Sequence, residues 1–159
     1  MEFNFEFSND DIKIIERLIG YSSIKQSTRE DIMSFLEKYK FRKKFYELEG
    51  KYVRFVENLV DGGDYRQEFF MYIEKIEEKE IGDRLRLVSD QIIRFDYNKD
   101  NILVFSRITT TSKEIREKYP DDGYGVHLDI DFKNSDNIKI IEISQSNFED
   151  ELVKAININ

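Results

Sequence analysis

The chain contains no cysteine and no tryptophan, one proline and one histidine. Without cysteine there is no disulfide framework, no thiolate zinc site and no cysteine nucleophile. With a single histidine, a serine–histidine–carboxylate triad could be built only on His127, and no serine is marked as its partner. Glycine is sparse as well, at seven. No glycine-rich phosphate loop occurs, since Gly62-Gly63 lacks the following lysine and the preceding strand. No apolar run approaches the roughly 20 residues of a membrane span. The start, Met1-Glu2-Phe3-Asn4, is acidic and alternating, unlike a signal peptide. These absences make a reducing, cytoplasmic setting the expectation, with no membrane partner.

What is present is charge and aromatic carbon. Thirteen Phe and nine Tyr are enough to fill the core of one domain, and a chain of 159 residues is expected to form a single domain spanning 1–159 without a stabilising metal. The net charge of −8 is uneven: residues 61–83 carry eight acids against three bases, and residues 121–159 nine against three. Residues 27–60 and 84–120 lean basic. Such a balance opposes a phosphate backbone, so nucleic acid is not expected as a partner. It favours encounter with a basic protein surface. The basic run Lys38, Lys40, Arg42, Lys43 and Lys44 is read as spreading around a helix, a solvated face rather than a patch.

Periodicity divides the chain into a helical first part and a stranded second part. Phe3, Phe5 and Phe7 alternate as a short strand. Ser8 with Asp11 and Ser27 with Glu30 look like capping boxes that open two helices. Further helices are predicted over Arg42–Glu49, over Lys51–Val60 and through Phe69, Phe70, Ile73 and Ile76, so that helix occupies most of 9–80. Residues Gln91–Tyr97 read as either helix or strand. Asn98-Lys99-Asp100-Asn101 predicts a turn and Ile102–Ile108 a strand. A short helix is expected over Lys113–Tyr119. Val126–Phe132 alternates as the clearest strand, Lys133–Asp136 as a hairpin loop, and Ile138–Ser144 as the returning strand. Ser146 with Glu149 predicts the cap of a terminal helix. The expected class is α+β, an N-terminal helical cluster packed on a C-terminal, mainly antiparallel sheet.

Candidate chemistry centres on the strand His127-Leu128-Asp129-Ile130-Asp131. Alternation puts the imidazole and both carboxylates on one face, yet neighbours two apart stand nearly 7 Å from each other, so one ion cannot reach all three unaided. Glu142 could add a fourth group. No metal and no cofactor are expected on this ground. Pro120-Asp121 with Asp131-Phe132-Lys133 has the outline of a metal-dependent nuclease signature, but such triplets arise by chance in a chain this charged. The leading expectation is a non-enzymatic protein-binding domain, an inhibitor or immunity-type protein that neutralises a basic partner, with no catalytic residues. Asp121, Asp122, Tyr124, Asp129 and Asp131 are the predicted partner-binding residues, Tyr124 because tyrosine is favoured at interface hot spots. The alternatives are a metal-dependent phosphodiesterase or nuclease using Asp121, Asp129, Asp131 and Lys133, and a structural or assembly subunit.

Overall fold

The computed structural model describes residues 8–20, 25–59, 65–79, 83–111 and 126–158. The predicted strand at Phe3–Phe7, the break at Asp61–Asp64 and the helix at Lys113–Tyr119 lie outside these residues. Contacts group the chain into two units, Met1–Glu47 and Leu48–Asn159.

The first unit holds two helices. Helix α1, Asn9–Ile19, opens on the expected capping box: Ser8 Oγ accepts from Asp11 N and the Asp11 carboxylate accepts from Ser8 N. That reciprocal bonding, led by the Ser8 backbone N–H, holds the Asp11 carboxyl below its usual range. Helix α2, Gln26–Tyr46, is one long element where two were expected. Its start carries no side-chain cap; Lys25 occupies the N-cap, and Glu30 takes a bond from Gln26 rather than closing a box with Ser27. Ile12, Ile19, Leu36 and Tyr39 form the buried seam, with Ile15 and Ile32 packed against it. These positions recur at helical spacing on each helix, so the seam follows directly from the apolar pattern.

The second unit is built from antiparallel strands: β1 Tyr52–Leu59, β2 Tyr65–Tyr72, β3 Lys75–Lys79, β4 Arg84–Ser89, β5 Gln91–Tyr97, β6 Leu103–Thr110, β7 Val126–Asp131 and β8 Ile138–Glu142. A five-stranded sheet runs β6-β5-β2-β1-β8, and a three-stranded sheet β3-β4-β7. Gly50, at φ +80, turns the chain into β1 and donates its N–H to Ile73 O. The pair β2–β3 and the pair β4–β5 each pass from one sheet to the other. At the second corner the buried Ser89 hydroxyl donates to Gln91 O and accepts from Gln91 N. The turn Asn98–Asn101 forms as expected, with Asn98 Oδ1 accepting from Asp100 N and Ile102 N.

The class is α+β with antiparallel sheets, as read from the sequence. The predicted helices over Lys51–Val60 and through Phe69 to Ile76 are strands instead. The reason is burial on both sheet faces: Phe69, Phe70 and Met71 are all buried, and a strand covered on both sides reads as a continuous apolar run that spacing alone cannot tell from a helix. Residues 133–136 do not make a hairpin loop. A 3-10 helix, Phe132–Asn137, carries the chain out of the three-stranded sheet, and β8 pairs with β1 in the other. The terminal helix α3, Gln145–Ile158, is capped two residues earlier than expected: Ser144 Oγ, not Ser146, accepts from Asn147 N. Phe148 and Ala155 of α3 pack on Phe70, Ile93 and Phe95. Among the described residues no helix is long and apolar enough to cross a membrane.

Candidate functional site

Strand β7 behaves as its alternation dictates. Val126 and Ile130 are buried, while His127, Asp129 and Asp131 share the opposite face. What the sequence does not reveal is the neighbour. The register sets Arg86 of β4 opposite Asp129 and Arg84 opposite Asp131. Arg86 donates through Nε and Nη2 to the two oxygens of Asp129, at 2.8 and 3.2 Å, and Arg84 Nε donates to Asp131 Oδ1 at 2.8 Å. Glu77 of β3 lies on the other side of Arg86. Partial burial, the largest single effect, pushes the Asp129 carboxyl up, but the hydrogen bonding to Arg86 and the charges of Arg86, His127 and Arg84 together outweigh it, and the result lies below the ordinary value. Arg86 is raised, chiefly by the hydrogen bond to Asp129.

This arrangement is a cross-strand charge ladder that neutralises itself. Charge-assisted, forked pairing of this kind fixes register and orientation more than it exposes charge. A divalent ion at Asp129 or Asp131 would have to displace a guanidinium. Glu142 is in the other sheet, where its carboxylate meets Lys51 Nζ at 3.3 Å. Among the described residues no three His, Cys, Asp or Glu side chains are grouped to hold a metal. Asp121, Asp122 and Tyr124 lie outside the described residues.

Acid outside the arginine ladder is found instead on α3, where Glu149 accepts from Gln145 Nε2. Its inner face is apolar and buried, as above. Its outer face presents Ser146, Glu149, Asp150, Val153, Ile156 and Asn157, all exposed. Val153 and Ile156 are 56% and 57% exposed, unusual for apolar side chains one helical turn apart. Glu149, Val153 and Ile156 therefore share one stripe with no base on it, while Asp150 lies at its edge, one turn from exposed Lys154. Sequence reasoning placed the acids of 121–159 together but did not separate this stripe from the ladder on β7. The signal was available in the spacing Glu149, Val153, Ile156.

A second feature sits between α3 and the five-stranded sheet. Glu68, 5% exposed, is the one charged residue among the buried ones described. It pairs with Arg54 across the β1–β2 register, and Arg66 Nε lies 3.9 Å away. Arg66 also stacks on Tyr97, 4.5 Å from its ring centre, and donates to Asn101 Oδ1. Lys154 of α3 hangs over Phe95 at 4.8 Å and approaches Tyr97 Oη at 3.4 Å. A cleft of about 380 Å³ opens over Glu68, with Asp150 and Glu151 on its α3 side. A buried carboxylate is costly unless paired, and here the pairing is supplied from within, so the cluster orients the sheet face beneath α3.

Comparison with protein-family models, with curated proteins and with solved structures finds no match for this chain.

Proposed function

We propose that this is a non-enzymatic protein-binding domain, an inhibitor or immunity-type protein that acts in the cytoplasm by covering a basic surface on its partner, such as a nuclease toxin or a defence enzyme. The observation that carries the reading is the outer stripe of α3, where Glu149 lies in line with exposed Val153 and Ile156 with no base between them, and Asp150 stands at its edge. A stripe that combines acid with exposed apolar area suits docking into a groove with a basic rim, as amphipathic helices dock in other complexes. Support also comes from charge placement. Residues 48–159 hold 24 acids and 16 bases, the whole of the net −8, so the unit that bears α3 is the one whose field would steer a basic partner. Asp121, Asp122 and Tyr124 are contact candidates on the sequence argument. Asp129 and Asp131 add to the field but spend their oxygens on arginine.

The test is capture from the native host on immobilised protein, followed by kinetics with the retained partner. The retained protein should be basic, and its association should slow steeply as salt rises, with dissociation changing less. Glu149→Lys with Asp150→Lys should weaken binding at least tenfold, mainly through association; an effect of that size is the order expected for two reversals in a steering patch. Reversing Asp129 and Asp131 should weaken it less. Binding indifferent to salt and to the α3 reversals would overturn the reading.

A further inference from the structure

Helices α1 and α2 face each other with matching spacings. Asn9, Lys13 and Glu16 lie on one face of α1; Lys40, Lys43, Lys44 and Glu47 lie on one face at the end of α2. Together they line an open cleft of about 390 Å³. The basic run that was read as spreading around the helix is therefore divided. Lys40, Lys43 and Lys44 converge, and α1 brings Lys13 to them from the opposite wall.

The pairing inside the cleft leaves a definite remainder. Lys40 Nζ meets Glu16 Oε1 at 2.6 Å. Lys43, its side chain only 17% exposed, donates to Asn9 Oδ1 at 2.8 Å and lies 4.0 Å from Glu47 Oε1. Each carboxylate is thus matched by one ammonium. Lys13 and Lys44 line the same cleft with no carboxylate of their own among the described residues, and Lys44 has only the Phe45 ring, 5.6 Å away. Two ammonium groups left over in one cleft match a ligand of charge −2. A phosphate group carries about −1.5 to −2 near neutrality and three strong acceptor oxygens. Lysine binds such a group as a point charge with three donors.

We infer that this cleft binds a compact dianion of the phosphate class, inorganic phosphate or a phosphate monoester, held directly by Lys13 and Lys44. Lys40 and Lys43 set the walls, since Glu16, Asn9 and Glu47 hold their ammonium groups in place. Glu16 and Glu47 also limit the affinity, because each adds a negative charge beside the anion. The site lies in the unit whose own charges balance, nine acids against nine bases over residues 1–47.

The experiment is an amide-resolved NMR titration of the full chain at pH 7 with sodium phosphate and, separately, with phosphoserine, each against sodium chloride of matched ionic strength. Saturable shifts are expected at Asn9, Lys13, Lys40 and Lys44 with phosphate and not with chloride. The two phosphate probes distinguish the sources: equal affinity assigns the group alone, and tighter phosphoserine assigns a monoester. Lys13→Gln with Lys44→Gln should weaken binding at least tenfold. Glu47→Gln should tighten it about threefold, by relief of like-charge repulsion at an exposed site. That gain is a change that loss of folding cannot produce. Shifts that rise linearly and are matched by chloride would overturn the site, as would an unchanged binding curve in both variants.

Discussion

The two units differ in how charge and core are distributed. Residues 1–47 are electrically balanced and bury the seam of Ile12, Ile19, Leu36 and Tyr39, with Phe41 and Phe45 at the end of α2. Residues 48–159 carry all of the net charge and also the largest fully buried side chains of the sheets, among them Phe95, Met71, Ile93, Leu85, Leu87 and Ile130. The acidic unit can bear its self-repulsion because its core is wide and because arginines are woven between its acids. The pairs Arg54–Glu68, Arg84–Asp131, Arg86–Asp129 and Arg94–Asp96 all lie in this unit. Charge far from zero and most of the fully buried side chains go together here, while the balanced unit has a seam and the Phe41–Phe45 pair.

The comparison breaks most readily at the cores. Phe95→Ala, at a fully buried position beneath α3, should cost about 3–5 kcal/mol in denaturant unfolding. Leu36→Ala removes the most buried residue of the seam and should cost about 2–4 kcal/mol, read by hydrogen exchange as faster opening of α1 and α2 amides. If the units hold themselves together separately, β2 and β5 amides keep their protection in that variant. Equal loss of protection in both units would show that they open as one, and the contrast would fall.

Smaller effects sharpen the electrostatic half of the contrast. The Asp129 carboxyl is depressed in the folded protein, so it contributes stability that is present above its unfolded pKa, near 3.9, and lost as pH falls through the folded value. Asp129→Asn should therefore cost up to about 1 kcal/mol at pH 7, the scale of a well-formed but partly exposed pair, and much less at pH 3. Urea midpoints at the two pH values test this; a cost that does not shrink in acid would refute the role of the pair. Glu57 has the opposite sign. Burial raises its carboxyl, so its contribution is present below its unfolded pKa, near 4.3, and is lost as pH rises through the folded value. Glu57→Gln should raise the midpoint of thermal unfolding by about 1–2 °C at pH 7, the shift of a few tenths of a kcal/mol. No change, or a fall, would mean that Glu57 has a favourable partner in the folded state.

Much of the architecture was legible where a local rule decided it. The Ser8–Asp11 box, the Asn98–Asn101 turn and the alternation of Val126 to Ile130 each depend on residues within a few positions of one another. The strands around Phe55-Val56 and Glu68–Met71 failed because consecutive residues buried on both faces erase the alternation that marks a strand. Ser146 was preferred to Ser144 as a cap because Glu149 stands three residues on, yet that carboxylate takes the Gln145 side chain instead. The candidate site was harder still. Nothing local announces that Arg86 will stand opposite Asp129, since register is settled by which faces are buried and by strands forty residues apart. For the same reason Asp129 and Asp131 looked available and proved engaged, while the stripe on α3 went unremarked. Lys13 and Lys44 belong to different helices, and only the packing of one on the other makes them neighbours.

The position of β1 has a consequence for how the chain comes to be folded. It is the strand between β2 and β8, and its second partner is made long after it: Val53 sits beside Glu142, and Phe55 beside Ile140. As the ribosome delivers the chain, β1 and β2 can form their hairpin early, but the other edge of β1 stays open until β8 emerges. Throughout that interval the open edge belongs to a mostly apolar strand, and Arg54 and Glu57 are the two charges on it that make it less inviting to other nascent chains. Arg54, which pairs with Glu68 in the finished sheet, is thus also one of the two charges that guard the unfinished edge against joining the wrong chain before its own last strand arrives.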